Sequence, residues 1–170
     1  PSIKRSSRAF SVTHKTVKRW LDILENFYYH FRIYPYTKSK VKSLKKMAKI
    51  YLWDWSQIEN NEGAKFENMI ASHLLKFCHF LIDTEGLRAS LYYLRDIEKR
   101  EVDFLVAINE KPWFLVEVKR SSTSISKHLK YFKEQMEIPL LFQVVMENGV
   151  DFMENGIRVI SASQFLSAFV

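Results

Sequence analysis

Cysteine is almost absent from these 170 residues. Cys78 stands alone, so no intrachain disulfide can form, and this usage fits a reducing compartment, with a cytoplasmic location expected. Its apolar helical surroundings mark it as a small buried hydrophobe. Glycine and proline occur four times each, too sparsely for a collagen-like or low-complexity chain. No apolar run approaches the roughly 20 residues that a membrane-spanning helix needs, and no secretory pattern opens the chain. The Gly-rich loop G-x-x-x-x-G-K-[ST] is missing, so no ATP site of that kind is expected here. The five histidines lack a metal-ligand spacing, and no Ser-His-Asp or Cys-His nucleophile is evident. The opening Pro1-Ser2-Ile3-Lys4 has no initiator Met, and the chain reads as a piece of something longer.

Apolar residues make up 47% of the chain and aromatics 15%, enough for a real core. The net charge of +7 is unevenly placed. Residues 1–60 hold 13 Lys and Arg against 4 Asp and Glu, a net +9, whereas 61–170 hold 13 against 15, a net −2. Such asymmetry predicts a nucleic-acid-facing segment beside a domain with another task.

Within the basic third, Thr13 is suited to cap a helix, and Val17, Trp20, Leu21 and Leu24 recur at helical spacing as a core stripe. Lys15, Lys18 and Arg19 fall off that stripe, as the bases of a recognition helix do. An aromatic strand is expected over 27–36 and another over 49–53, with a loop between them that contains Lys42, Lys45 and Lys46. Helix, strand, basic loop, strand is a winged-helix order. The lysines of 38–49 then meet phosphates rather than bases. A polar stretch over 56–63, ending at Gly63, marks a boundary between a module of residues 1–60 and a domain of residues 61–170.

In the second domain, Phe66, Ile70, Leu74, Phe77 and Leu81 predict a long amphipathic helix over 64–83. Strands follow over 90–95, 101–108 and 113–119. Their connections are too short for crossovers, so they form a meander. A helix to about residue 137, a doubly buried strand over 139–146, a short strand over 156–160 and a last helix complete an α-β-β-β-α-β order.

Two of those strands carry charge in apolar runs. Glu117 and Lys119 share one face of a strand whose other positions are apolar, and Asp103 lies between Val102 and Phe104 on its neighbour. Charges placed so are costly unless paired or bound to something. Two converging carboxylates repel, and a divalent cation such as Mg²⁺ or Mn²⁺ would relieve them, with Lys119 beside the nucleophile or a scissile phosphate. The plainer alternative is a cross-strand salt bridge on a solvated face.

Asp103 followed by Glu117-Val118-Lys119 resembles the PD-(D/E)XK nuclease pattern, with Val102 where the pattern has Pro. The strand order resembles that superfamily's core as well. Thr16-Val17-Lys18-Arg19-Trp20-Leu21, Lys49-Ile50-Tyr51 with Asp54, Gly63 with Phe66-Glu67, Glu101-Val102-Asp103-Phe104 and Val116-Glu117-Val118-Lys119 resemble the C-terminal domain of unknown function found after the P-loop domain of prokaryotic AAA+-type ATPases. The resemblance implies a restriction-endonuclease-like α/β fold and an ATPase domain upstream in the same polypeptide. It also implies Asp103 and Glu117 as metal ligands, Lys119 as the catalytic cation and Glu67 as a helix acid of the site. Two functions follow as expectations. One is Mg²⁺-dependent hydrolysis of DNA. The other is a catalytically idle module that binds DNA or protein for the ATPase.

Overall fold

A computed structural model describes residues 13–37 and 47–169. Thr13 accepts the Thr16 N–H and so starts α1 (His14–Asn26). The chain continues as β1 (His30–Pro35) and β2 (Lys49–Leu52), then a 3₁₀ turn at Trp55–Gln57. After it come α2 (Glu62–Glu85), β3 (Ala89–Arg95), β4 (Glu101–Ile108) and β5 (Lys111–Lys119). The remaining elements are α3 (Lys127–Gln135), β6 (Leu140–Val145), β7 (Asp151–Glu154), β8 (Ile157–Ser161) and α4 (Ala162–Leu166).

The eight strands form one mixed sheet in the order β2-β1-β3-β4-β5-β6-β8-β7. The expected meander is there, since β3, β4 and β5 pair antiparallel. Helix α3 carries the chain over to β6, which runs parallel to both β5 and β8 and is the doubly covered strand expected from its apolar run. The period of two sorts side chains to the two faces. Phe104, Val106, Phe114 and Val116 join Phe66, Ile70 and Leu74 of α2 and Phe165 of α4. Leu105, Leu115, Val145 and Val159 join Leu129 and Phe132 of α3.

Helix α2 runs two residues beyond the predicted stretch at each end. Asn61 caps it by accepting the Ala64 N–H, so Gly63 lies inside the first turn and is no boundary. Gly86 ends it in the left-handed region at φ 66°, where the Leu87 N–H reaches back to the Leu81 carbonyl. Strand β5 starts earlier than expected, because Asn109 and Glu110 alone make the tight turn, both at positive φ.

The first third departs further from expectation. Hairpin β1–β2 adds to the sheet through β1, parallel to β3, and places Phe31, Ile33 and Tyr51 in the α2-side core. Among the described residues the stripe along α1 does not enter a core: Val17, Trp20 and Leu24 are 39–53% exposed and Leu21 is half-buried. Helical spacing reports a face that favours burial, not what covers it, and among the described residues α1 is tied to the sheet mainly by Arg32 of β1, which pairs with Asp22 at 2.8 Å and Glu25 at 3.5 Å. The loop lysines Lys42, Lys45 and Lys46 lie outside the described residues.

Leu74, fully buried between α2 and the sheet, tests the core directly. Leu74→Ala is expected to cost about 2–5 kcal/mol, seen as a lowered urea midpoint with unchanged slope.

Candidate functional site

The site begins with strand register. Phe104 of β4 faces Val116 of β5, and continuing that antiparallel ladder sets Asp103 beside Glu117. The Val118 N–H donates to Asp103 Oδ2 at 2.9 Å. Glu117 is only 8% exposed. Its Oε1 accepts from Ser126 Oγ at 2.9 Å, and Lys119 Nζ stands 3.7 Å away on the same strand face. Ser126 is the N-cap of α3, so the capping residue of one element also holds the carboxylate of another.

Beneath Ser126 lies Gln143 of β6, fully buried and in register with Glu117. Its amide oxygen accepts the Ser126 N–H at 2.9 Å, and its amide nitrogen donates to the Ser124 carbonyl at 3.0 Å. Both ends of the side chain are satisfied, as a buried amide requires. The clamp fixes the loop between β5 and α3, and with it the hydroxyl that meets Glu117.

A second group converges from the other side. Lys49 of β2 places Nζ 2.8 Å from Glu101 Oε1, 3.2 Å from Glu67 Oε1 and 3.5 Å from Asp103 Oδ1. Tyr51, two residues along the same strand, donates its hydroxyl to Glu67 Oε1 at 2.6 Å. Helix α2 thus brings Glu67 to the edge of the sheet, β4 brings Glu101 and Asp103, and β2 supplies the cation and the hydroxyl.

Electrostatics follow from burial. Loss of solvent, together with the charges of Glu117 and Glu67, pushes the Asp103 carboxyl up to about 7. Burial also raises Glu117, and the Ser126 hydrogen bond and Lys119 oppose that rise. Burial alone would lower the Lys49 ammonium, but the charges of Asp103 and Glu67 and the bond to Glu101 outweigh it and hold the amine protonated. The Tyr51 phenol is raised by burial and by the Glu67 charge, so it stays a donor.

The carboxylates have the chemistry of a Mg²⁺ or Mn²⁺ site, which needs oxygen ligands about 2.0–2.2 Å away in a near-octahedral array. The arrangement does not fit that ion. An ammonium stands among three of the four carboxylates, and among the described residues no group of three or more His, Cys, Asp or Glu side chains is placed to hold a metal.

Asp103, Glu117, Lys119 and Glu67 are therefore gathered in one region of the sheet. Lys49 is a correction: expected among the phosphate-facing lysines, it points inward to the acids, because it shares a strand face with Tyr51 and continues into the core. Glu101, Tyr51, Ser126 and Gln143 were missed. The first two were signalled by spacings of two, Lys49 to Tyr51 and Glu101 to Asp103, which place each pair on one strand face. Lys15, Lys18 and Arg19 are exposed on α1.

The sequence model of a domain of unknown function, DUF4143, matches residues 62–165, more than half of the chain. The chain belongs to this family. A second domain of unknown function, DUF8612, matches residues 2–59. No curated protein and no solved structure matches the chain. The junction between the two matched stretches falls just before α2, so Lys49 and Tyr51 come from the DUF8612 stretch and all four acids from the DUF4143 domain.

The raised Asp103 pKa fixes the sign of a pH effect. Between the ordinary value of 3.8 and about 7 the folded protein holds a proton that the unfolded chain has lost. Stability from this group is then highest at the acid end and falls as pH rises through that window. Urea midpoints measured from pH 4.5 to 7.5 are expected to decline less steeply in Asp103→Asn than in the native chain.

Proposed function

We propose that this chain is a PD-(D/E)XK-like module that does not hydrolyse DNA but holds it, on behalf of a P-loop ATPase domain of the same cytoplasmic polypeptide. The observation that carries this reading is the Lys49 ammonium lodged among Glu67, Glu101 and Asp103, where phosphodiester hydrolysis would call for a divalent ion. The nuclease-like ancestry is supported by the α2-β3-β4-β5-α3-β6 order and by Asp103, Glu117 and Lys119 on adjacent strands. The ATPase connection rests on the DUF4143 match over residues 62–165 together with the sequence resemblance.

DNA is the favoured ligand because residues 1–60 carry a net +9 and Lys15, Lys18 and Arg19 are exposed on α1. In the winged-helix-like reading of this segment, Lys15, Lys18 and Arg19 of α1 meet the phosphate backbone. Contacts of that kind release counterions, so affinity falls steeply with salt.

The test uses labelled single- and double-stranded DNA with the chain in Mg²⁺ and in Mn²⁺. Binding without cleavage is expected, and replacing Lys15, Lys18 and Arg19 together by Ala is expected to reduce the slope of log affinity against log salt by about 3. Metal-dependent cleavage that disappears in Lys119→Ala would establish hydrolysis instead. Salt-independent failure to bind either DNA would remove nucleic acid from the function.

A further inference from the structure

The pairing of Lys49 is unlike that of an ordinary strand lysine. Three carboxylate oxygens surround one ammonium at 2.8, 3.2 and 3.5 Å, contributed by α2 and by two positions of β4. An ammonium has three donors and no acceptor, so three oxygens use it fully. Its side chain is 23% exposed, and a surface ion pair of that type would involve one partner and contribute little. Here the partners are acids that repel one another, and Asp103 is raised first by burial and then by the charges of Glu117 and Glu67.

Charge balance explains the arrangement. Glu117 has Lys119 and the Ser126 hydroxyl, so it is served from its own side. Glu67, Glu101 and Asp103 have Lys49 as their shared cation, and Tyr51 occupies Glu67 Oε1 from beyond. Removing the ammonium would leave three carboxylates within reach of one point, to be neutralised by protons or by a cation of higher charge.

We infer that Lys49 is an internal substitute for a divalent cation, delivered to the acids of the DUF4143 domain by the DUF8612 hairpin, so that the seated Lys49 ammonium and a bound metal exclude each other. A metal with oxygen ligands at about 2.1 Å leaves no room for an ammonium bonded to the same oxygens. Lys49 and a metal ion therefore compete for one set of acids, and each weakens the other by linkage. The hairpin is seated by its core residues Phe31, Ile33 and Tyr51, which keep the lysine at high local concentration against any ion in solution. This inference rests on the non-hydrolytic reading above.

The experiment measures Mn²⁺ binding by calorimetry and by electron paramagnetic resonance, with no DNA present. The native chain is expected to take up no Mn²⁺ at millimolar concentration. Lys49→Gln, which keeps the length and removes the charge, is expected to gain a site at least tenfold tighter. Asp103→Asn in the same chain should abolish that site, and Lys49→Arg, which restores the charge, should exclude the metal again. If Lys49→Gln fails to fold, Mn²⁺ is expected to restore its far-ultraviolet circular dichroism and a cooperative melt.

The inference is overturned if the native chain binds Mn²⁺ as tightly as Lys49→Gln. It is equally overturned if a folded Lys49→Gln binds none, or if Mn²⁺ does not rescue an unfolded one. Cleavage of DNA by the native chain would sink the functional reading. Silence of Lys49→Gln toward metal, in a native chain that does not cleave, would sink only this inference.

Discussion

Two carboxylates on neighbouring strands of a buried sheet need a cation, and much of the site is arranged to provide one. Asp103 and Glu117 meet because β4 and β5 form a tight hairpin in which an irregularity between Val106 and Ala107 shifts the register by one residue from that of the turn at Asn109-Glu110. Once that register exists, both side chains stand among apolar residues, and neither water nor the backbone can neutralise them fully. Lys119 serves Glu117 from two residues along the same strand. Asp103 has no such neighbour on β4, and its cation comes from Lys49, more than fifty residues earlier in the chain.

That long-range demand gives the hairpin a second attachment to the core. Tyr51 and Phe31 stack against each other, and Tyr51 packs against Phe104 of β4, which supplies apolar area. Lys49 and the Tyr51 hydroxyl supply polar specificity at the same edge. The apolar contacts can tolerate rearrangement, whereas an ammonium shared by three oxygens admits few positions. A division of labour results: burial contributes the free energy, and the ion cluster fixes where the hairpin sits. A neutral residue in place of Lys49 would thus disturb the geometry of the seat even where the stacked rings remain.

Much of this was legible in the residues themselves. Periodicity located α2 and the three-stranded meander because their apolar positions are buried by close neighbours, so pattern and environment agree. The same logic failed on α1, whose stripe is equally regular but has no cover among the described residues. Strand β7 was missed because all four of its residues are exposed and so carry no alternation. The Asn155-Gly156 pair just after it, both at positive φ, was the available hairpin signal. Asp103, Glu117 and Lys119 were readable since short-range register alone brings them together. Lys49 was not, because a lysine at the end of a lysine-rich stretch looks like its neighbours until the partner of its strand face is known.

The charge asymmetry of the chain accordingly has two meanings. Among the described residues, Lys15, Lys18 and Arg19 face outward from α1. Lys49 is directed inward to the acids, and its effect is different in kind. An outward lysine adds to a field that salt screens within about 10 Å at ordinary ionic strength. Lys49 acts at contact distance in a partly desolvated pocket, where screening is weak and the protonation of Asp103 and the seating of the hairpin respond to the same interaction. A phosphate backbone drawn to α1 would interact with the outer charges and leave the inner one in place. The segment can therefore present a basic surface without loosening from the acids that hold it.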